Sequence, residues 1–153
     1  MRKWIDLFEG TLPPLPSAEQ TPWWIEPLAP LTAKVQSYLG VEDPWATGGC
    51  FAFAEALQSI YGGTRWGAYS IGENYDEDED DWDHEHEVVE INGTFYDYHG
   101  VFELEKYRQL LIATHGWDDD LPMKMIAGET YVDTVPAHLV DALLHIMRTA
   151  ASR

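Results

Sequence analysis

Cysteine occurs once in the 153 residues, at Cys50, so no disulfide can form within the chain. Cationic side chains are also scarce: nine Lys plus Arg stand against 27 Asp plus Glu, a formal net charge of −18. That balance argues against direct binding to nucleic acid, because phosphate contacts rely on cations that release counterions. There is no run of about 18 apolar residues, so nothing is expected to span a membrane. The opening residues, from Met1 to Gly10, lack the apolar centre of a secretion signal, and a reducing cytoplasmic setting is the expectation. No internal repeat is visible.

What is abundant is apolar and aromatic surface. Hydrophobic residues make up 45% and aromatic residues 13%, enough for a core and too much for a disordered chain. Six of the nine prolines fall between Thr11 and Pro30, which argues against a continuous helix or a central strand there. Residues 1–30 therefore read as an extended lead-in packed on the core, and 31–153 as one domain. Trp23, Trp24 and Ile25 would be costly to expose and are expected to lie along that core.

Leu31, Val35, Tyr38 and Leu39 have a helical period between Pro30 and Gly40. A second helix is predicted from Cys50 to Tyr61, with Gly62-Gly63 as its stop, and Arg65 to Ile71 reads as a strand. Phe102 to Thr114 predicts a helix with Leu104, Tyr107, Leu110 and Leu111 inward. The stretch from Leu121 to Val132 is ambiguous, with a strand pair around Gly128 as one reading. Pro136 opens a last helix that buries Leu139, Val140, Leu143, Leu144 and Met147. The fold class expected is α+β: a helix bearing the cysteine packed on an antiparallel sheet, with flanking helices.

Gly48-Gly49 allows a sharp turn directly before Cys50, which then occupies the first turn of its helix. A thiol there feels the positive end of the helix dipole, and it needs a base and an orienting acid to act as a nucleophile. The stretch His86 to Asp97 offers both. Asn92-Gly93 between two β-forming runs predicts a type I′ hairpin, in which facing residue numbers sum to 185. Ile91 would face Thr94, Val88 would face Asp97 and His86 would face His99. His84, His86, Val88, Asp97 and His99 would then share one side, with His86 and Asp97 as diagonal neighbours within hydrogen-bonding reach.

A helix with Cys on its first turn, followed by strands presenting His and then Asp, resembles the papain-like cysteine hydrolases in their widest sense, transglutaminase-like and cell-wall peptidase relatives included. The likeness covers about residues 48–100 and identifies no subfamily. It implies a papain-like core with Cys50 as nucleophile, His86 as base and Asp97 as orienter. It departs from that pattern in having no Gln shortly before Cys50 and a short His86 to Asp97 spacing. The chemistry would be acyl transfer at an amide or ester carbonyl, on a peptide-like or cationic substrate and with no cofactor. An oxyanion would be held by the Cys50 N–H and a second donor near Trp45, Thr47 or Gly49.

Two other readings stay open. Eleven of the 27 acids lie between Gly72 and Glu90, and no Lys or Arg occurs between Arg65 and Lys106. Asp76, Asp78, Asp80 and Asp81 would steer cationic substrates, or the chain is an acidic binding or inhibitor protein, of a DNA-mimic kind, for a basic partner. With Glu87 the run matches part of a calcium-loop spacing, although Asp81 replaces the required glycine. Alternatively His84, His86 and His99 would bind a divalent metal, which would remove His86 as a free base.

Overall fold

The computed structural model describes residues 12–46, 48–71, 82–116, 121–128 and 137–151. Over these described residues it is α+β, with four helices and one five-stranded antiparallel sheet. In chain order the elements are α1 (Ile25–Leu39), α2 (Cys50–Tyr61), β1 (Thr64–Ile71), β2 (Trp82–Ile91), β3 (Thr94–Asp97), β4 (Gly100–Val101), α3 (Leu104–His115), β5 (Met123–Ala127) and α4 (Ala137–Ala151). The strands lie in the order β4-β3-β2-β1-β5.

The alternation of β2 assigns its two faces. Val89 and Ile91 pack with Phe53, Leu57 and Ile60 of α2, with Leu28 of α1, and with Val140, Leu143 and Met147 of α4. Val88 points the other way, into a smaller cluster with Ala68 and Phe102, against which Leu104 and Tyr107 of α3 are packed. Three helices therefore cover one face of the sheet and α3 covers the other. No helix among the described residues is long and apolar enough to cross a membrane.

The proline-rich stretch departs from expectation. Helix α1 begins at Ile25 rather than Leu31 and carries Pro30 inside it. Pro27 stands in its first turn, where an N–H has no intrahelical acceptor in any case, and Pro30 removes one internal bond that the burial of Leu28 and Trp24 outweighs. The extended lead-in is thus shorter than residues 1–30, of which 1–11 lie outside the described residues. The part before α1 does lie on the core: the Tyr61 hydroxyl donates to the Pro13 carbonyl at 2.6 Å. Trp24 is fully buried and its indole N–H donates to the Tyr98 carbonyl at 2.7 Å.

Smaller differences follow the same logic. Leu110 is exposed, and Leu111 and Ile112 form the buried side of α3. Of the ambiguous stretch after Leu121, Met123–Ala127 forms a single strand that extends the sheet beyond β1, while 129–136 lie outside the described residues. Helix α4 buries Val140, Leu143, Leu144 and Met147 of its predicted stripe, whereas Leu139 is only half-buried; Pro136 lies outside the described residues.

Candidate active site

Asn92 (φ 53°) and Gly93 (φ 87°) both adopt left-handed backbone, as a type I′ turn requires. The facing pairs Val89–Tyr96, Glu90–Phe95 and Ile91–Thr94 keep the register in which numbers sum to 185. Continued by one pair to Val88 and Asp97, this register puts His86, two residues before Val88, on the same side of the sheet as Asp97 and diagonal to it. Their contact is direct: His86 Nε2 donates to Asp97 Oδ2 at 2.9 Å.

The other members of the predicted row lie elsewhere. Along β1–β2 the pairing steps from Ala68–His86 to Tyr69–His84, so Glu85 is an extra residue and β2 is bulged there. The bulge reverses the parity of His84. Its ring stacks on Phe51 of α2 at 4.8 Å, and its Nε2 donates to Glu87 Oε2 at 3.0 Å, on the side opposite His86. Strand β3 ends at Asp97, and the chain turns through Tyr98 and His99 to pair Asp97 with Gly100. His99 therefore does not face His86; its ring donates from Nε2 to Asp43 Oδ2 at 2.7 Å. The metal face of His84, His86 and His99 is thereby undone, and no group of three or more metal-ligating side chains occurs among the described residues.

Around His86 the protein is closed. The ring is 1% exposed, stacked on Tyr107 at 5.1 Å and tilted against Phe102 at 5.5 Å. Because a carboxylate only accepts, the bond to Asp97 places a proton on Nε2 and leaves Nδ1 as the ring nitrogen open to a second partner. Nδ1 is buried and makes no hydrogen bond of regular geometry among the described residues. Burial by itself would push the imidazole pKa down. The hydrogen bond with Asp97, the polar interaction with the Cys50 thiol and the charges of both outweigh it and push His86 up to about 9.

Cys50 opens α2 and is 5% exposed. Its approach is set by the preceding loop. The Gly49 N–H donates to the Pro44 carbonyl at 2.7 Å, and a Cβ on Gly49 would meet that oxygen at 2.5 Å, so only glycine fits the turn. The same contacts correct two of the three predicted oxyanion positions. Gly49 spends its N–H on Pro44, and the Trp45 N–H donates to Asp43 Oδ1 at 3.2 Å while its indole is buried against Tyr98. Thr47 lies outside the described residues, as do Asp76, Asp78, Asp80 and Asp81. The Cys50 N–H stands in the first turn of α2, where no intrahelical acceptor exists.

Asp43, Phe102 and Tyr107 are the neighbours that pattern reading missed. Tyr107 belongs to the apolar stripe of α3, and nothing in that period distinguishes a core tyrosine from one stacked on a histidine. Burial, followed by the nearby Glu85 and Cys50 charges, raises its phenol, and its O–H donates to the Glu85 carbonyl at 3.2 Å. A groove of about 460 Å³ between α1 and α4 reaches Gly48 and Gly49 but is not lined by Cys50, His86 or Asp97.

Compared with known proteins, the chain matches no family model, no curated protein and no solved structure.

Proposed function

We propose that this chain is a cysteine-dependent acyl-transfer enzyme, a hydrolase or acyltransferase of amide or ester bonds, in which Cys50, His86 and Asp97 act together. The observation that carries this reading is the setting of one imidazole: Nε2 is held by Asp97 at 2.9 Å, Nδ1 is buried with no hydrogen-bond partner among the described residues, and Cys50 is among the groups that raise the same ring. A histidine kept only for packing has no need of that order.

In this scheme the proton of the Cys50 thiol rests on His86 Nδ1, in keeping with the raised imidazole, and the thiolate attacks the substrate carbonyl. Negative charge develops on the carbonyl oxygen, which the Cys50 N–H and the α2 dipole stabilise. The imidazolium then gives its proton to the leaving amine or alcohol as the carbon–heteroatom bond breaks, leaving a thioester on Cys50. Water or a second amine, deprotonated by His86, attacks the thioester and returns the thiol. Asp97 fixes the tautomer and stabilises the imidazolium. The sole donor evident for the oxyanion among the described residues is the Cys50 N–H. The net charge of −18 favours substrates with a cationic or peptide-like portion.

The test is turnover of a panel of p-nitrophenyl esters and cationic peptide amides. Cys50→Ala should abolish it, and His86→Ala should lower kcat about 10²- to 10⁴-fold. Undiminished turnover in Cys50→Ala would end the proposal. Tight binding of basic peptides without turnover in any variant would favour the acidic binding protein instead.

A further inference from the structure

Helix α2 and the β2–β3 hairpin supply the three groups of the proposed site, and something must hold their two leading turns in register. The turn before Cys50 is organised by Asp43, whose Oδ1 accepts the N–H groups of Trp45 at 3.2 Å and Ala46 at 3.3 Å. The turn after Asp97 is organised by Asp97 itself, whose Oδ1 accepts the His99 N–H at 2.8 Å. One contact joins the two organisers: His99 Nε2 donates to Asp43 Oδ2 at 2.7 Å. The result is a chain of hydrogen bonds from the Cys50 loop through Asp43, His99 and Asp97 to His86.

We propose that Asp43 and His99 form a latch that positions the Cys50 loop against the His86–Asp97 pair. This rests on the acyl-transfer reading. A second, apolar tie joins the same two turns: Trp45 stacks on Tyr98 at 5.3 Å, and its indole N–H donates to Thr32 Oγ1 at 2.9 Å. That stack sets how far apart the turns lie. It does not set the orientation of the His99 peptide, whose N–H must point at Asp97 Oδ1 if Oδ2 is to stay on His86. The His99–Asp43 hydrogen bond supplies that orientation.

The division of labour follows from exposure. The His99 and Asp43 side chains are 54% and 42% exposed, so the pair contributes little to global stability and acts on local geometry. The groups facing His99 are Asp43 from the loop, Asp97 from β3, His86 from β2 and the Tyr98 ring beside it. Asp43 raises the His99 imidazole through their hydrogen bond, against burial, which lowers it. The same contact lowers the Asp43 carboxyl, so it favours the charged form of each partner.

Asp43→Asn isolates the latch, because the amide oxygen still accepts from Trp45 and Ala46 while the charge facing His99 is lost. His99→Gln removes the other partner and keeps the backbone N–H to Asp97. With the full chain, the rate of Cys50 alkylation by iodoacetamide at pH 7 should fall about three- to tenfold in either variant, and no further in the double variant. The ¹⁵N-detected titration of His86 should shift down from about 9 by about one unit in the same proteins, with melting temperatures nearly unchanged. Wild-type rates and an unmoved His86 midpoint in both variants would overturn the latch, as would additive losses in the double variant. His86→Ala separates the two failures: if wild-type Cys50 reacts no faster than in His86→Ala, the nucleophile reading fails and the latch falls with it.

Discussion

His86 and Asp97, eleven residues apart, meet at 2.9 Å because a two-residue turn at Asn92-Gly93 fixes the register between them. A longer or looser turn would let the strands slip by one residue and send the two side chains to opposite faces. The contact that organises the candidate site is therefore a consequence of the hairpin geometry.

The raised His86 pKa carries a stability consequence. Its folded value lies above its ordinary 6.5, so its contribution is fully present below about pH 6.5 and is lost as pH rises through about 9. The rise corresponds to about 3 kcal/mol. Urea unfolding at pH 6 and pH 9.5 should show a loss of that order in the wild type and a much smaller one in His86→Gln. Equal slopes in the two proteins would mean the imidazole is not held protonated.

On the opposite face of β2, Glu87 is fully buried between Arg65, 3.6 Å away, and the His84 ring at 3.0 Å. Removing the carboxylate strands the buried guanidinium, so Glu87→Ala should cost about 3–5 kcal/mol. A double variant with Arg65→Met and Glu87→Leu should recover most of that loss. Chemical denaturation of the three proteins checks both, and a mild Glu87→Ala effect would show that water reaches Arg65.

Gly49→Ala should destabilise by about 1–3 kcal/mol, since the new methyl would sit 2.5 Å from the Pro44 oxygen and 3.0 Å from the Trp45 ring. Cys50 alkylation should slow in the same variant, because the loop must shift to admit the methyl. A stable variant with wild-type alkylation would show that the Gly48-Gly49 turn does not set the thiol position.

The sequence carried those parts of the architecture that depend on local chemistry. Helix α2 from Cys50 to Tyr61, the type I′ hairpin and the buried stripe of α4 follow from period, turn residues and stop signals, and they put His86 beside Asp97. Two backbone events were not legible: the bulge at Glu85, which reverses His84, and the turn at Tyr98–His99, which ends β3 early. No glycine or proline stands at Glu85, and Gly100 (φ 117°), which closes the second turn, does not by itself fix where β3 ends. The partner of His99 was equally hidden, because Asp43 lies 56 residues away and is brought near only by tertiary packing. Prolines misled in the other direction, since burial of Trp24 and Leu28 sustains a helix across Pro30.

The measurement that bears most directly on the central claim is mass-spectrometric mapping of the folded protein after brief exposure to p-nitrophenyl acetate near pH 7. A nucleophile activated by His86 and Asp97 predicts a single acetyl group on Cys50, formed faster than on the urea-unfolded chain and greatly slowed in His86→Ala. Acetylation of lysines alone, or of Cys50 at the same rate in folded, unfolded and His86→Ala protein, would contradict it.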